Sequence, residues 1–350
     1  MKFDIRTRDQ KPETGNKKTE GGRLKLLIVF SLIRQTVWRT DYKIRKELKL
    51  IIEEPGYVTE RILLLGRRES CVYLLKGDNE YAILGGGMAY IVPDLVRQLG
   101  EYEIDESRIK RIIILHSHFD HCGIVPFFKK RWPQVKVTAS ARAKELLVTK
   151  EVIDSIEFLN QVLLMKHGIE DKATEIDLSF TGVDVEEVVK DREILSCDNL
   201  LMEIIEVPGH SSCSIAVYVR EEKAMFASDA GGVPFGDRVF TAANSNFDKY
   251  VESLHKMARY ETDIYLAEHY GARTGEDGRK FLQKSMVSAK ETRQILEESI
   301  ARTKDVKMSA KEITEMLTKN APTGFIPMEV ISMVTEQMLR YVSGQKSGEY

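Results

Sequence analysis

"ILHSHFDHCG", residues 114–123, places three histidines and an aspartate within six positions, directly after an apolar run. The whole chain of 350 residues has only seven histidines, so this local density is unusual. The apolar run predicts a buried strand, and the polar residues then lie in the loop at its carboxyl end. Side chains can converge on one ion at such strand ends. The residues concerned are His116, His118, Asp120 and His121.

Three further residues of the same types each follow an apolar strand pattern. His210 ends "EIIEVPGH", Asp229 ends "MFASD" and His269 ends "IYLAEH". Imidazole and carboxylate groups are ligands for zinc, iron and manganese, and seven such groups are enough for two ions. His167 and His255 lie within helical patterns, and we interpret them as surface or packing residues. The sequence therefore predicts a centre for two divalent metal ions, Zn or Fe, with Mn as a further option.

Composition excludes several classes of protein. The formal net charge of -2 comes from 52 basic and 54 acidic residues spread along the chain, so no nucleic-acid partner is expected. The four cysteines form no C-x-x-C pair, which indicates reduced thiols in a cytoplasmic protein. The most apolar run near the N-terminus, residues 24–33, is about half the ~20 residues that span a bilayer. No membrane association is expected.

Local composition and the strand and helix patterns divide the chain into four parts. Residues 1–22 are charged and predict a mobile polar tail, and residues 23–50 form an accessory segment of unassigned role. Strand and helix patterns alternate over residues 51–275, which predicts one α/β domain. Residues 276–350 show helical patterns only, with Ser309 as the predicted N-cap of one helix. This helical region could cap a pocket, form a homodimer, or both.

The candidate ligands follow the order H-x-H-x-D-H, G-H, S-D and a final His, which resembles the metallo-β-lactamase-fold superfamily over roughly residues 57–275. The resemblance implies an α/β fold of four αββα layers with a two-metal site at one edge. Short matches such as "AILGGG" and "GFIPMEVISMVTEQML" also resemble its thioesterase-like quinolone-signal response branch, which has added C-terminal helices. By matching motif, the resemblance assigns His116, His118 and His210 to the first metal, Asp120, His121 and His269 to the second, and Asp229 to a bridge.

The chain departs from the superfamily pattern in the turn after the third predicted core strand. Many members carry Asp-Ser/Thr-Gly there, whereas this chain has three glycines at residues 85–87. That aspartate supports the ligand loop from behind. Its absence predicts that the support of His116 is either lost or transferred to another group. Cys122 and Cys213 are neighbours of candidate ligands in sequence, and we expect them to be buried packing residues.

The predicted centre favours metal-assisted hydrolysis. A water that bridges two cations ~3.5–4 Å apart loses its proton near neutral pH and supplies a hydroxide nucleophile. Asp120 could also accept a proton, and Tyr270, beside His269, is a candidate hydrogen-bond donor to the oxyanion. We expect an ester-type bond in a small-molecule substrate, a thioester of the acyl-CoA kind or an ester or lactone. A long loop, residues 229–247, could line an apolar pocket. Its phenylalanines are Phe235, Phe240 and Phe247.

Three other functions remain open from the sequence. A phosphodiester could be cleaved by the same two metals. A di-iron oxygen-binding or redox protein can have the same fold, but that group typically carries glutamate where this chain has His118. A regulatory interaction protein would use the metal site mainly to stabilise the fold.

Overall fold

The computed structural model describes the chain over residues 51–169, 171, 175–319 and 328–345. The predicted polar tail and accessory segment, residues 1–22 and 23–50, lie outside the described residues, as does the first part of the late "GFIPMEV" motif. No described helix has an apolar stretch long enough to cross a membrane.

Strands and helices alternate through most of the described chain. The strands are β1 (Ile51–Ile52), β2 (Gly56–Tyr57), β3 (Ile62–Arg67), β4 (Ser70–Lys76), β5 (Tyr81–Leu84), β6 (Ile109–Ile113), β7 (Lys136–Ser140), β8 (Glu187–Val189), β9 (Ile194–Cys197), β10 (Leu200–Glu206), β11 (Ile215–Val219), β12 (Ala224–Phe226), β13 (Val233–Phe235), β14 (Arg238–Phe240), β15 (Ile264–Leu266) and β16 (Ala272–Arg273). The α-helices are α1 (Val92–Glu101), α2 (Val125–Arg131), α3 (Ala141–Leu147), α4 (Lys150–Lys166), α5 (Phe247–Met257), α6 (Gly275–Thr303), α7 (Val306–Thr318) and α8 (Met328–Val342).

Two seven-stranded sheets form the centre of the described part of the chain. The first has the order β2-β3-β4-β5-β6-β7-β8, and the second has the order β1-β16-β15-β12-β11-β10-β9. Strands β5 to β8 run parallel, as do β12 and β15, while the other neighbours within the sheets are antiparallel. Strand β4 reads "SCVYLLK" and is buried at every position but the last, because both faces of its sheet are covered.

Three cores separate four layers. One core lies between the two sheets and includes Tyr73 and Phe226, whose rings meet edge to face at 5.6 Å. A second core packs α1 to α4 against the outer face of the first sheet. The third packs α5 to α8 against the outer face of the second sheet. The predicted αββα sandwich with C-terminal helices is therefore confirmed.

Parallel pairing brings the candidate ligands to one edge. The carboxyl ends of parallel neighbours lie at the same edge of a sheet, so the turn after β5 and the loop after β6 are adjacent. In the second sheet, the same holds for the segments after β12 and β15. The two sheets are joined close to this edge, where the Ile215 amide donates to the Leu115 carbonyl at 2.8 Å.

Two local predictions are wrong. Helix α7 starts at Val306 and its N-cap is Asp305, whose carboxylate accepts from the amide of Met308 at 2.8 Å. Ser309 lies inside the helix and is buried, with its hydroxyl 2.6 Å from that of Thr303. The segment after Asp229 is not a continuous loop, because β13 and β14 form a short antiparallel hairpin within it.

Candidate metal centre

The loop after β6 is shaped by its contact with the glycine turn after β5. The amides of Gly123 and Ile124 donate to the carbonyls of Gly87 and Gly86 at 2.8 and 3.0 Å. A Cβ atom on Gly86 would lie 2.3 Å from the carbonyl oxygen of His121, so the two backbones can approach this closely only with glycine there. Just before these contacts the loop forms a 3₁₀ turn at Phe119–His121, which carries the candidate ligands Asp120 and His121.

Three histidines form the first group of donor atoms. His210 Nε2 lies 3.2 Å from His116 Nε2 and 3.0 Å from His118 Nδ1. His116 and His210 are 1% and 2% exposed, so their nitrogens face one another out of bulk water. Spacings near 3 Å between nitrogens match the separation of ligands around one tetrahedral ion with metal–nitrogen distances of about 2.0–2.1 Å.

Asp120, His121 and His269 form the second group. The Nε2 atoms of His121 and His269 are 3.1 Å apart, and Asp120 Oδ2 lies 3.5 Å from the first and 3.4 Å from the second. The donor atoms of each group lie within 4.8 Å of one another. The structure thus places six of the predicted ligands in the two groups that the sequence resemblance implies.

Asp229 lies between the two groups. Its Oδ2 is 3.6 Å from His210 Nε2 in the first group and 3.4 Å from His121 Nε2 in the second. Its Oδ1 is buried and has no hydrogen-bond partner among the described residues, although His269 Nε2 is 3.7 Å away. A buried carboxylate oxygen without a donor is costly unless a cation binds it. The donor set therefore fits the binding of divalent cations, with this carboxylate placed between the two groups.

A family model provides independent evidence for the same fold. The model of the metallo-β-lactamase superfamily matches residues 65–269. The chain belongs to the metallo-β-lactamase superfamily. Family membership and the convergent donors together support a metal-dependent hydrolase.

Solved structures of the superfamily share this fold. An archaeal superfamily protein from Sulfolobus tokodaii aligns with a TM-score of 0.52 and 16% identity, covering 82% of this chain and 100% of its own. A superfamily protein from Thermus thermophilus aligns with a TM-score of 0.57 and 18% identity, covering 82% of this chain and 95% of its own. At these identities the likeness concerns the fold alone.

A curated relative has a more specific name. A hydroxyacylglutathione hydrolase from Prochlorococcus marinus (strain MIT 9312) is 27% identical over 173 residues, which are 48% of this chain and 54% of the relative. The chain spans about half the length of the curated relatives it matches.

Carbonyl groups hold two of the histidines from behind. His210 Nδ1 lies 2.7 Å from the carbonyl oxygen of Ala242, and His269 Nδ1 lies 2.7 Å from that of Glu69. A carbonyl only accepts, so Nδ1 carries the proton in each ring and Nε2 keeps a free lone pair for a cation. These contacts therefore fix the tautomer that metal binding requires.

Electrostatics differ between the two groups. Burial lowers the pKa of His116, His118 and His210, and that of His118 falls to about 3. Burial also opposes protonation of His121 and His269, but the neighbouring carboxylates outweigh it and raise the pKa of both rings. The first group is consequently neutral, which is the form of imidazole that binds a cation, whereas the second retains protons to a higher pH.

The carboxylates of the centre are held in the ionised form. Burial would raise the pKa of Asp120 and Asp229, yet the pKa of each lies below its usual value because histidines surround it. Among these histidines, His121 lowers the pKa of both carboxyl groups the most. Two ionised carboxylates beside five imidazoles favour hard or borderline divalent cations.

Tyr270 lies beside the centre in a strained backbone conformation. Its φ is 56°, its side chain is 3% exposed, and its ring meets that of Phe235 at 5.8 Å between centroids. Its amide donates to the carbonyl of Arg68 at 2.7 Å, which anchors the turn that carries His269. Left-handed backbone in a non-glycine residue costs about 1–3 kcal/mol and is frequent at functional sites.

The remaining residues singled out in the sequence lie outside the two groups of donor atoms. Cys122 and Cys213 are buried, and the Cys213 thiol lies 3.3 Å from the Ser117 hydroxyl, outside the groups of donor atoms found among the described residues. Phe247 begins α5 and is fully buried in the outer core. His255 is exposed on α5.

Sequence reasoning missed Glu268 and Ser228. Glu268 is 2% exposed, and its Oε2 accepts from the Ser228 hydroxyl at 2.5 Å and lies 3.0 Å from His121 Nδ1. A signal was present in the sequence, since an acidic residue following the apolar "IYLA" before a ligand is unusual. Nothing in the sequence, however, indicates that this carboxylate lies behind His121.

Proposed function

We propose that the protein is a metal-dependent hydrolase that cleaves a thioester, ester or lactone in a small molecule. The observation that carries this proposal is the convergence of seven donor side chains from both sheets at one edge of the sandwich. Two cations bound there, zinc or iron, would lower the pKa of a water molecule and polarise the scissile carbonyl. The name of the curated relative, hydroxyacylglutathione hydrolase, describes a thioester hydrolase and supports the same class of bond.

The proposed roles of the other groups follow from their positions. Asp120 is partly exposed and ionised, so its carboxylate can accept a proton from the attacking water and deliver it to the leaving group. Tyr270 follows the candidate ligand His269 directly, and its hydroxyl would donate to the oxyanion that forms at the substrate carbonyl.

The surroundings of Asp229 favour an acyl substrate. The hairpin β13–β14 brings Phe235 and Phe240 into the core that borders the centre, each 8% exposed. The ring of Phe235 contacts that of Tyr270, which directly follows the candidate ligand His269. An apolar wall of this kind gains free energy by covering an acyl chain, at about 25 cal/mol per Å² of apolar surface buried.

The experiment is a substrate panel on protein of known metal content. Acyl-CoA thioesters, lactones and bis-aryl phosphates are assayed with the wild type, Asp120→Asn and the control Asp154→Asn. Asp154 is an exposed carboxylate paired with Lys150 on α4, away from the centre. We expect hydrolysis of an acyl substrate, a loss of about 10²–10⁴-fold in kcat/KM for Asp120→Asn, and no change for the control.

Metal analysis of each variant separates loss of a ligand from loss of a proton acceptor. Tyr270→Phe should lower kcat and leave the metal content unchanged. Wild-type protein with two metal equivalents that is inert on every acyl substrate would overturn the proposal. Turnover of the phosphodiester alone would assign the site to phosphodiesterase chemistry instead.

A further inference from the structure

Glu268 is a buried carboxylate that accepts hydrogen bonds from three separate segments. Its Oε2 accepts from the Ser228 hydroxyl at 2.5 Å and contacts His121 Nδ1 at 3.0 Å, and its Oε1 accepts from the Gly86 amide at 3.2 Å. Glu268 itself lies in the turn between β15 and β16. The side chain thus joins the segments that follow β5, β6, β12 and β15, which are the strand ends that form the edge of the site.

All three partners can donate a hydrogen bond, and a side chain that accepts from all of them needs two acceptor oxygens. An ionised carboxylate has about four acceptor positions and satisfies such a set, whereas an amide of the same size has one oxygen and an NH₂ group. Burial of the carboxylate is tolerated here because each oxygen is hydrogen-bonded. The surroundings of residue 268 therefore require the carboxylate group of glutamate, and not only a side chain of its size.

The glycine turn leaves the space that Glu268 fills. Gly85 has a φ of 91°, and a Cβ atom there would lie 2.4 Å from Glu268 Oε1 and 2.9 Å from its Cδ. A side chain at residue 85 and the carboxylate of Glu268 therefore exclude each other. The superfamily resemblance predicts an aspartate at residue 85. In this chain a carboxylate reaches the same place from the end of another strand, as the side chain of Glu268.

We propose that Glu268 is the positioning residue of the second metal group, and that it replaces the carboxylate absent from the glycine turn. Its carboxylate accepts a hydrogen bond from the Nδ1–H of His121 and thereby directs Nε2 toward Asp120 and His269. Through the Ser228 hydroxyl, which lies 3.4 Å from His116 Nδ1, it also reaches the first group. This inference rests on the metal centre of the proposed function and names the residue that orients it.

The alternative, that Glu268 ligates a cation itself, conflicts with the geometry. A group of His116, His121 and Glu268 does lie close enough for metal binding. Both imidazoles, however, already direct Nε2 at the other candidate ligands. The Ser228 hydroxyl lies 3.4 Å from each Nδ1, and it bonds the carboxylate, so it occupies the space that an ion would need.

Glu268→Gln tests the proposal, because glutamine keeps the volume and loses one acceptor. Zinc affinities are measured by competition with a chromogenic chelator at pH 8, where protons compete little with the metal. We expect the second equivalent to bind about 10–100-fold more weakly and the first to change less. The visible spectrum of the cobalt-loaded variant should change in the bands of the second ion. Glu187→Gln, at a half-buried glutamate paired with Arg111, is the control and should match the wild type.

A measurement on the wild type covers the case in which the variant does not fold. The ¹⁵N shifts of the His121 ring in zinc-loaded protein should show a proton on Nδ1 and a metal-bound Nε2. The opposite tautomer would overturn the proposal, as would a third tightly bound equivalent or a folded Glu268→Gln that binds both equivalents like the wild type. None of these readouts depends on turnover, so an inactive wild type that binds two ions would contradict the proposed function alone.

Discussion

Gly209, which precedes the candidate ligand His210, is fixed by a close backbone contact. Its φ is 133°, and a Cβ atom there would lie 2.2 Å from the amide nitrogen of Tyr250 at the start of α5. The carbonyl of Gly209 also accepts from the amides of Ser245 and Asn246, at 3.1 and 2.9 Å. The residue therefore fixes the turn carrying His210 against the beginning of the helix.

We expect Gly209→Ala to lower the free energy of unfolding by about 3 kcal/mol, because backbone has to move on both sides of the contact. Gly100→Ala is the matched control, since Gly100 is exposed near the end of α1 and a Cβ atom there meets nothing within 4 Å. That change should be neutral or stabilise by up to about 1 kcal/mol. Urea denaturation measures both, and equal midpoints for the two variants would contradict the argument.

The histidine pKa shifts predict the order in which metal is released by acid. A ring with a raised pKa binds a proton at a higher pH, and that proton competes with the cation. The pKa values of His121 and His269 are raised, whereas that of His118 is lowered to about 3. Titration from pH 8 to 5 with an indicator for free zinc should therefore release the second equivalent before the first. Simultaneous release, or the reverse order, would show that the carboxylates do not set the order.

How far the sequence predicts the site depends on the kind of residue. The seven candidate ligands follow strand patterns, and strand ends of one sheet share an edge, so their convergence could be expected. The role of Glu268 could not, because it depends on space left by Gly85, 183 positions earlier in the chain. The sequence predicted that the support of His116 is lost or transferred, whereas the buried carboxylate of Glu268 contacts His121.

Helix α6 links the C-terminal helices to the segment that carries Asp229. The ring of Phe281 on α6 stacks on Tyr265 at 3.9 Å, and the Tyr265 hydroxyl donates to the carbonyls of Ser228 and Gly232 at 3.2 and 2.8 Å. Farther along α6, the Ser288 hydroxyl donates to the Val239 carbonyl in β14 at 2.7 Å. The helix therefore supports the Asp229 segment and its hairpin from behind.

Phe281→Ala should destabilise the protein by about 3–5 kcal/mol, since it removes a ring that is 3% exposed. It should also weaken binding of both metals, because Asp229 lies between the two groups. Val287→Ala on the same helix is the control, as that side chain is 57% exposed, and a change within about 0.5 kcal/mol is expected. Thermal unfolding and chelator competition are the measurements. If Phe281→Ala is destabilised but binds the metals as the wild type does, helix α6 does not support the metal site.

Secondary structure was harder to predict where several polar residues compete for one role. Thr303, Asp305 and Ser309 can all cap a helix, and the sequence pattern around Ser309, with an acidic residue three positions on, favours the wrong one. The hairpin after Asp229 was missed because three-residue strands are too short to show alternation. In both cases the local sequence is compatible with several structures, and tertiary contacts determine which of them forms.

At the scale of the molecule, the candidate ligands divide between the two sheets. Four of them follow β6 in the first sheet, and the other three follow strands of the second. The sequence predicted the alternation of strands and helices but not the order of strands, since pairs such as β1 with β16 join residues more than 200 positions apart. Cations bound at the shared edge would connect segments that follow strands of both sheets.

Metal loading should consequently stabilise the whole domain. At a free concentration of about 1,000 Kd, each bound ion adds roughly 4 kcal/mol, so zinc added to chelator-treated protein should raise Tm by roughly 5–10 °C for each ion bound. Hydrogen exchange should slow together in the loop after β6 and in the segments that carry His210, Asp229 and His269.

His210→Ala removes the candidate ligand that the second sheet contributes to the first group, while His255→Ala removes an exposed imidazole on α5. The zinc-induced rise in Tm is compared within each variant, which cancels any change in the stability of the metal-free form. We expect the rise to be reduced in the first variant and unchanged in the second. Exchange that slows only in the loop after β6 would mean that the cations do not join the sheets, because ligands on both sheets must be immobilised when the predicted centre is filled.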